Sequence, residues 1–528
     1  MPPSHDNLAT LLGKVESRLG PERALELIRQ LGAHPTPLDS GAPPEIGNSG
    51  GDQRIIVVGA GVAGLVLAYE LAERGANVEL WEASDQLGGR NRTVRPGEVI
   101  REDGHEDQLC QLPEGGYLNA GPGRISHHHR AVLHYCRHFG LKLKPYLTLN
   151  RAALLHRWLP ELDRDVVVRN RQVQFDGQGR IGELAAKLGP WFDPDGPVPA
   201  DLATALKDWL RDNCNVGQNE AGEWRYQARG RQGFARPRGA ASEPGEPEHP
   251  LDLDQILGLH LWYDDPRRSP DVIDEQLSMF ELEGGNDGLI EALAAALPGR
   301  IQRNRRLTGV QRSSDGGVVL HAEDRDAGWL EQSADRVVLA MQPQVMQGME
   351  LDLPAERLEG LHALPARYAV KVGGWMRRRF WEEDLGIYGG ISFTNLPNQQ
   401  VWYPNGDFHD PNGGLLVMAY AALQMGEALG ALPPQERCQV TVELATRMHP
   451  QIADELDADT LITIAWQHVP HIRSPWVAWT PDLYRRWFPL LSEPCGPIAF
   501  AGDWCSHLPA WQEGAIRSAY ALLPWALS

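Results

Sequence analysis

The sequence has few cysteines, no long apolar run and no excess of positive charge, and each absence excludes a class of protein. Its six cysteines are scattered without a CxxC pair or metal-ligand spacing, which predicts reduced thiols in a cytosolic enzyme and excludes a disulfide framework. No stretch approaches the roughly 20 consecutive apolar residues of a membrane span. The N-terminus lacks a basic segment followed by an apolar one, so we expect no secretory signal.

Charge and composition narrow the class further. Lysine and arginine number 50 against 70 aspartates and glutamates, which leaves a formal charge of -20. This acidic balance disfavours nucleic acid or an anionic membrane as a partner. Hydrophobic residues at 42% and charged residues at 23% are ordinary globular usage, which excludes a disordered chain. The length of 528 residues predicts roughly two to four domains.

The first 51 residues form a distinct segment. Apolar residues recur at helical spacing up to a break at Gly20-Pro21, and a second helical pattern follows up to Leu31. A linker rich in proline and glycine then leads to Asp52. We predict a helical extension and linker in residues 1–51, which either packs on itself or docks on the body or on another subunit.

From Arg54 the sequence follows a strand–turn–helix–strand pattern. The run RIIVV is short, β-branched and apolar, as in a buried parallel strand, and GAGVAG leads into the helical pattern LVLAYELAERG. Gly59, Gly61 and Gly64 match the dinucleotide fingerprint, in which they provide the tight turn, the approach to a pyrophosphate and close helix packing. Glu82 ends the second strand, NVELWE, where a carboxylate accepts ribose hydroxyls. We therefore predict a dinucleotide site.

A second glycine motif, Gly88-Gly89-Arg90, follows soon after the ribose acid. It resembles the motif of the FAD-dependent amine oxidase superfamily, in which the glycine pair passes close to the diphosphate and the arginine stabilises it. From Arg54 to the C-terminus, the chain resembles the flavin-dependent L-amino acid oxidases of bacteria in this superfamily. The resemblance implies FAD, and not NAD, with Gly89 and Arg90 among its ligands.

The resemblance also implies the fold class. We expect an α/β chain with a Rossmann-like FAD-binding domain of the glutathione-reductase type, a mixed α+β substrate-binding domain and a helical region. The predicted segments are the extension 1–51, the FAD-binding parts 52–125, 281–348 and 489–528, the helical substrate-binding region 126–280 and the substrate-binding domain 349–488. Residues 215–250, rich in glycine, proline and charge, are predicted to form an exposed loop or lid.

The segment GGYLNAGPGRISHHH contains a candidate substrate ligand. Gly121-Pro122-Gly123-Arg124 matches the Gly-x-x-Arg of amino acid oxidases, which implies that Arg124 binds the substrate carboxylate and that Gly123 and Arg124 lie beside the cofactor. A guanidinium suits this role because it binds a carboxylate bidentately. The next residues, His127 to His129, invite a metal interpretation. Neighbouring helical residues point about 100° apart and cannot converge on one ion, so we expect no metal and a structural or pocket-lining role.

Two candidates lie in the predicted substrate-binding domain. Lys371 precedes the pair Phe380-Trp381, as the family lysine does that contacts flavin N5 through a water and assists reoxidation by O2. A buried cation there would stabilise the charge that develops on reduced oxygen. Tyr403 stands where the family has a tyrosine hydroxyl that meets the substrate carboxylate. Trp402 is the weaker candidate, because adjacent strand residues face opposite sides.

Two further segments resemble cofactor contacts of the family. Val310 falls in a strand whose counterpart meets the adenine through its backbone. The C-terminal run PIAFAGDWCSHLPAWQEGAIRSA resembles the final FAD motif. There Asp503 replaces the commoner glutamate that bonds the ribityl chain, and Trp511 aligns with the aromatic residue that flanks the substrate. The resemblance implies that Gln512 and Ala515 open a helix whose N-terminal amides point to the flavin C2 carbonyl and stabilise negative charge on the reduced ring.

The resemblance implies oxidative deamination of an L-amino acid, through the imino acid, to a 2-oxo acid with release of ammonia and H2O2. The comparable segment SPWVAWTPDLY has no cysteine where monoamine oxidases attach their flavin, so we expect non-covalent FAD. The expected partners are a small amino acid substrate and O2, without nucleic acid or membrane, in a cytoplasmic homodimer.

Three other interpretations stay open at this point. An amino acid 2-monooxygenase on the same scaffold would give an amide and CO2. An amine or polyamine oxidase would act on substrates without a carboxylate. A flavin-binding assembly protein would recruit a partner through its helical N-terminus and would hold FAD that no amino acid reduces.

Overall fold

The computed structural model describes residues 21, 22, 26, 29, 39–48, 51–188, 200–262, 273 and 279–528. The chain separates into two units, Met1–Ser40 and Gly41–Ser528. The predicted pair of N-terminal helices falls largely outside the described residues. Residues 39–48 of the predicted linker contain neither helix nor strand.

A parallel sheet forms the core of the larger unit. Its five strands have the order Ile301–Gln302, Asn77–Trp81, Arg54–Val58, Arg336–Leu339 and Ile498–Phe500. The runs RIIVV and NVELWE, predicted as strands, lie in this sheet, and so do residues of the runs ADRVVLA and PIAFAG. The predicted Rossmann-like fold is therefore confirmed.

Both faces of the parallel sheet are covered. Ile55 packs in an apolar cluster with the helices Val62–Glu73 and Gln512–Leu527. Its neighbour Ile56 packs in a second cluster, with residues of the strand Arg305–Arg312 and its neighbours. Successive strand residues point to opposite faces, so a strand that is apolar throughout is buried on both sides.

A second large sheet stands apart from the parallel one. Its seven strands have the order Arg164–Arg169, Leu154–Leu159, Ile391–Thr394, Gln400–Trp402, Gly414–Ala422, Ala369–Met376 and Leu456–Ala465. All adjacent pairs are antiparallel except the second and third strands, which run parallel. Most residues of the runs GGLLVMAYAAL and TLITIAWQHV lie in this sheet, and the mixed α+β prediction is confirmed.

Smaller sheets contain the remaining strands of the described residues. A four-stranded sheet has the order Gly328–Ala334, Val318–Asp324, Arg305–Arg312 and Glu350–Leu351, and a three-stranded sheet has the order Ile125–Ser126, Met279–Leu282 and Leu143–Tyr146. Four strand pairs are Thr93–Val94 with Leu118–Asn119, Val99–Ile100 with Gln108–Leu109, Val216–Gln218 with Trp224–Tyr226, and Phe234–Arg236 with Glu246–Pro247.

Helices surround these sheets. In the part of the chain that the structure describes, the α-helices are Val62–Glu73, Arg130–His138, Asn170–Leu188, Ala200–Cys214, Leu253–Gly258, Gly288–Ala295, Pro343–Met346, Ala355–Ala363, Phe380–Glu383, Leu423–Gly430, Pro434–Met448, Ile452–Glu455, Pro481–Ser492 and Gln512–Leu527. Within the same residues, none of these helices combines the length and apolarity that a bilayer crossing requires.

Short strands occur at two places in the middle of the chain. Ile125–Ser126 form a strand that pairs with Met279–Leu282, and the helix that follows begins at Arg130. The segment 215–250, predicted as an exposed loop, contains two short hairpins with mostly exposed residues.

Candidate active site

A cavity of about 1680 Å³ is lined by residues of both large sheets. Its walls include the turn after Arg54–Val58, the segment after Asn77–Trp81 and side chains of the seven-stranded sheet. Ligands of open parallel sheets bind at these carboxyl ends of the strands. A pocket for one small molecule occupies roughly 300–1,000 Å³, so this cavity has room for a dinucleotide and a second small molecule.

The three predicted diphosphate glycines differ in what a side chain would meet. At Gly59, φ is +106° and a Cβ would lie 2.6 Å from the carbonyl oxygen of Ala340. At Gly64, a Cβ would lie 1.9 Å from the carbonyl oxygen of Gly59. At Gly61, the nearest atom would be the carbonyl oxygen of Gly88 at 3.8 Å, and Gly61 lines the cavity. Packing requires glycine at 59 and 64, whereas the space at Gly61 fits the close approach of a ligand.

Glu82 lines the cavity at the end of the second strand. Its Oε2 accepts a hydrogen bond from the Ala60 backbone N–H at 2.9 Å, and its Oε1 accepts from the Ser84 N–H at 3.0 Å and hydroxyl at 3.1 Å. An ionised carboxylate has about four acceptor positions. These bonds fix the side chain and leave it capacity to accept a ribose hydroxyl.

Arg90 and Asp503, both predicted cofactor ligands, bind each other. They form an ion pair, and Arg90 also donates to the Pro475 carbonyl at 2.7 Å. Asp503 is 2% exposed and accepts from the Ala510 N–H at 2.7 Å. Gly89, with φ +56°, precedes Arg90 in the same wall of the cavity. The pair orients both side chains along the cavity where the diphosphate and ribityl chain are expected.

The first turn of the C-terminal helix Gln512–Leu527 borders the same cavity. Trp511 is its N-cap residue, and Gln512 and Ala515 line the cavity. A helix N-terminus carries partial positive charge and favours negative charge near it. Together with the space at Gly61, this donor set fits FAD.

Arg124 lines the cavity, and its guanidinium lies near two tryptophan rings. Its Cζ is 5.4 Å from the ring centroid of Trp402 and 5.9 Å from that of Trp511. Gly123 is required here, because a Cβ would lie 2.6 Å from Cζ3 of Trp402. The glycine therefore lets the Trp402 ring pack against the loop that carries Arg124, and the guanidinium faces an apolar wall.

Lys371 is buried beside this arginine, at 3% exposure. Its Nζ donates to the carbonyl oxygens of Asn119 and Gly121, each at 2.6 Å, and lies 4.8 Å from the Trp402 ring centroid. Burial, and then the nearby charge of Arg124, lowers the pKa of Lys371 to about 7. The amine therefore changes its charge near neutral pH, in a cavity where a fixed positive charge already lies.

Tyr403 does not line the cavity, and its predicted contact with the substrate carboxylate is not supported. Its hydroxyl hydrogen-bonds Ser392 Oγ at 2.6 Å and His449 Nε2 at 2.7 Å, and its ring packs against Trp381. Burial raises the pKa of Tyr403 and lowers that of His449 to about 3, so both stay neutral. The strand puts Trp402 on the cavity side and the next residue in the core.

Val310, predicted to meet the adenine through its backbone, is not among the residues that line the cavity. It lies in the interior of the four-stranded sheet, paired with Leu320 on one side and Leu351 on the other, and its carbonyl accepts from the Asp352 N–H at 2.9 Å. Its backbone groups thus serve the sheet. The cavity is lined instead by residues 304–309 and Gln311 of this strand.

Several cavity residues were not predicted from the sequence. Tyr420 pairs with Lys371 across two antiparallel strands, so its position depends on a pairing that a single strand pattern does not contain. Trp466 directly follows the strand Leu456–Ala465 and donates from Nε1 to the Ala120 carbonyl at 3.2 Å. Arg92 is half-buried, so desolvation lowers its pKa, and it donates to the Val99 carbonyl at 2.6 Å. The run GGRNRT contained a signal for Arg92, since its second arginine also follows the glycine pair.

The three consecutive histidines precede the helix Arg130–His138. His129 packs edge-on against the Trp511 ring at a centroid distance of 4.8 Å, and His128 Nδ1 lies 2.9 Å from Ser126 Oγ. Among the described residues, no three histidine, cysteine, aspartate or glutamate side chains are placed to hold one metal ion. His129 thus contributes to the packing of the site.

The parallel sheet, the glycine turn and the cavity define a dinucleotide-dependent enzyme. The family model for flavin containing amine oxidoreductases matches residues 62–521, so the chain belongs to this family. Its cofactor is FAD, and the sequence-based resemblance to the superfamily is confirmed.

Curated relatives and solved structures agree with this family. The chain is 25% identical to an L-amino-acid oxidase of Demansia vestigiata over 473 residues, 88% of this chain and 85% of the relative. It is 29% identical to the flavin-dependent L-tryptophan oxidase RebO of Lentzea aerocolonigenes over 493 residues, 90% of this chain and 98% of the relative. Cyclohexylamine oxidase from Brevibacterium oxydans has the same fold, with a TM-score of 0.59, 18% identity and coverage of 90% and 99%. Putrescine oxidase also has this fold, with a TM-score of 0.58 and 20% identity. The match covers 90% of this chain and 99% of the putrescine oxidase chain.

Proposed function

We propose that this flavoenzyme is an L-amino acid oxidase. It converts an L-amino acid, O2 and water to the 2-oxo acid, ammonia and H2O2, through the imino acid. The observation that carries the proposal is the position of Arg124, whose guanidinium lies in the cavity between Trp402 and Trp511. The named activities of the L-amino-acid oxidase relatives support the same reaction.

Charge favours an amino acid over an amine as the substrate. Arg124 and Lys371 are basic groups at the same end of the cavity, and both lie near the Trp402 ring. An α-carboxylate brings the opposite charge to this end. A polyamine would bring further positive charge into a site where low dielectric strengthens repulsion. An amine oxidase acting on polycations is therefore the less favoured interpretation.

Each side chain has a distinct task. Arg124 binds the carboxylate through parallel N–H···O bonds and so fixes the orientation of the Cα–H bond, a positioning effect that can supply several kcal/mol (about 7–11 at most) of barrier reduction. Trp402 and Trp511 form the walls on either side of the guanidinium. FAD, when bound, would supply the two-electron redox chemistry between the amine and O2. Lys371 in its ammonium form stabilises the negative charge that builds up on reduced oxygen.

The residues proposed to hold FAD surround the rest of the cavity. They are Gly59, Gly61, Glu82, Gly89, Arg90, Gly123, Arg124, Asp503, Gln512 and Ala515, which line the cavity, and Gly64, which packs against the Gly59 turn. We propose non-covalent attachment, since none of the described residues that line the cavity is a cysteine. Acid precipitation tests this: flavin in the supernatant is expected, and flavin in the pellet would contradict it.

We also propose the domain assignment 52–125, 281–348 and 489–528 for FAD binding, with 126–280 and 349–488 for the substrate. All five strands of the parallel sheet fall in the first three ranges, and all seven of the other large sheet fall in the last two. The proposed assembly is a cytoplasmic homodimer. Size-exclusion chromatography with light scattering measures its molar mass and so tests the dimer. The six free cysteines are consistent with a reducing compartment.

Product analysis tests the proposed reaction. The holoenzyme is mixed with a panel of L-amino acids, first without O2 to follow loss of flavin colour, and then with O2. An oxidase releases one ammonia and one H2O2 for each 2-oxo acid. Formation of an amide and CO2 would instead identify a 2-monooxygenase. Flavin that no amino acid bleaches would support a binding protein and contradict the proposal.

A further inference from the structure

One buried carboxylate, that of Glu513, serves the N-termini of two helices. Glu513 lies in the first turn of the C-terminal helix Gln512–Leu527 and is 2% exposed. Its Oε2 accepts hydrogen bonds from the backbone N–H groups of Ala131 at 2.9 Å and Val132 at 3.0 Å. Both amides belong to the first turn of the helix Arg130–His138.

This arrangement replaces a local cap by a long-range one. A helix usually receives its cap from the N-cap residue, whose side chain accepts from the next amides. Here the accepting side chain is that of Glu513, and not that of the N-cap residue His129. The two helices direct partial positive charge to the same place, and a carboxylate between them compensates both. Loss of this charge leaves two helix ends that repel each other.

The carboxylate also closes a ring of contacts around the substrate end of the cavity. Trp511 precedes the C-terminal helix and lies 5.9 Å from Cζ of Arg124. His129 precedes the other helix and packs on the same Trp511 ring at 4.8 Å. Between Arg124 and that helix there are only the strand Ile125–Ser126 and the histidines. The segments that carry Arg124 and Trp511 are therefore held together by Glu513.

We infer that Glu513 is a positioning residue for the carboxylate site, which it builds by fixing Arg124 and Trp511 relative to each other. The inference rests on the proposed function, because it concerns how the site selects an α-carboxylate. Glu513 acts through these two residues, and its other hydrogen-bond partner is Arg517, whose Nε donates at 2.8 Å. A shift of about 1 Å in such a site is sufficient to lower activity by about 100-fold.

The test compares Glu513→Gln with a matched control on the same helix. Glutamine keeps the shape but loses the charge and one acceptor oxygen. The control is Tyr135→Phe, which removes another buried hydrogen bond of the helix Arg130–His138, the 2.6 Å bond to Glu70, and leaves its N-terminus intact. Benzoate serves as the probe of the carboxylate site in the FAD-loaded enzyme, with binding followed by the change in flavin absorbance. Melting temperature, kcat and KM are measured in parallel.

The inference predicts that Glu513→Gln weakens benzoate binding and raises KM by about tenfold or more, whereas Tyr135→Phe changes both less than about twofold at a similar loss of melting temperature. Equal effects of the two variants, or unchanged benzoate binding in Glu513→Gln, would overturn it and leave Glu513 a purely structural residue. Wild-type enzyme that neither binds benzoate nor oxidises amino acids would refute the proposed function itself, and the inference with it. If Glu513→Gln does not fold, Glu513→Asp, which keeps the charge on a shorter arm, gives the same comparison.

Discussion

At the scale of single residues, the substrate end of the cavity is organised by the Trp402 ring. Arg124 and Lys371 lie against this ring. Glycine at position 123 leaves space for the ring to pack on the loop that carries Arg124. The fixed charge of Arg124 and burial both make the ammonium form of Lys371 less stable. The positive charge of Arg124 is therefore permanent, whereas the charge of Lys371 depends on pH.

The pH dependence of reoxidation follows from the pKa of Lys371. Since this pKa is about 7, the ammonium predominates at pH 6 and the neutral amine at pH 8. We expect the rate of reaction of pre-reduced enzyme with O2 to fall as pH rises through about 7, because the ammonium is the form that stabilises reduced oxygen. Stopped-flow mixing with O2 measures this step apart from amine oxidation.

The variant Lys371→Met serves as the control for that titration. It is expected to react with O2 about 100-fold more slowly and without an inflection near neutral pH. A wild-type rate that is flat from pH 6 to 8, or a methionine variant that reacts at the wild-type rate, would contradict the role of Lys371.

The sequence places single residues at the cavity where a motif contains them. Glu82, Arg90, Arg124 and Asp503 each belong to such a motif, and all four line the cavity. For Tyr403 and Trp402 the sequence is less decisive, because deciding which of two adjacent aromatic residues faces the cavity requires the orientation of the strand in the sheet. Only the three-dimensional pairing supplies that orientation.

At the scale of elements, glycine has two different roles in the turn between the first strand and the first helix. Gly64 allows close packing, and Gly61 leaves space for the ligand. Gly64→Ala would place a Cβ 1.9 Å from the Gly59 carbonyl oxygen, so it is expected to destabilise the apoprotein and the holoprotein alike. Gly61→Ala meets nothing closer than 3.8 Å in the protein. It is expected to leave the apoprotein stable and to weaken FAD binding by about tenfold to 100-fold, because the methyl group occupies the approach of the diphosphate.

Flavin fluorescence titration and thermal unfolding of the apoprotein measure these two effects. An apoprotein melting temperature that falls as much in Gly61→Ala as in Gly64→Ala would show that glycine at 61 serves packing. Unchanged FAD affinity in Gly61→Ala would show that the diphosphate does not pass close to that position.

The strands themselves could be predicted where their pattern is regular. All-apolar, β-branched runs identify the parallel strands, since both faces are buried. The strand Arg305–Arg312 is different, because its pairing with Val318–Asp324 shifts at a bulge between Leu307 and Gly309. A bulge breaks the alternation of faces, so the position of Val310 could not be derived from spacing along the strand.

At the scale of the whole molecule, a buried ion pair joins distant parts of the chain. The guanidinium of Arg437 binds both carboxylate oxygens of Glu102, at 2.9 and 2.8 Å, and both side chains are 0% exposed. Glu102 also accepts from the Ala465 N–H at 2.7 Å. The pair thus connects the segment after Val99–Ile100 with the seven-stranded sheet and its helix Pro434–Met448.

Breaking this pair is expected to destabilise the enzyme strongly. Glu102→Gln leaves Arg437 buried without its counter-charge, which costs about 3–5 kcal/mol. The matched control is Glu359→Gln, which removes an ion pair with Arg486 at 2.8 Å that is mostly exposed, and changes stability by at most about 1 kcal/mol. Denaturant unfolding of the FAD-loaded protein measures both. Equal losses in the two variants would contradict the account of the buried pair.

The central claim is that Arg124 selects substrates that carry an α-carboxylate. Its most direct test compares the best L-amino acid of the panel with the amine that lacks only its carboxyl group, in the wild type, Arg124→Lys and Arg124→Met. We predict that kcat/KM of the wild type favours the amino acid by at least about 100-fold, that lysine keeps part of this preference, and that methionine abolishes it. A methionine variant that still prefers the amino acid, or a wild type that oxidises the amine equally well, would contradict the account.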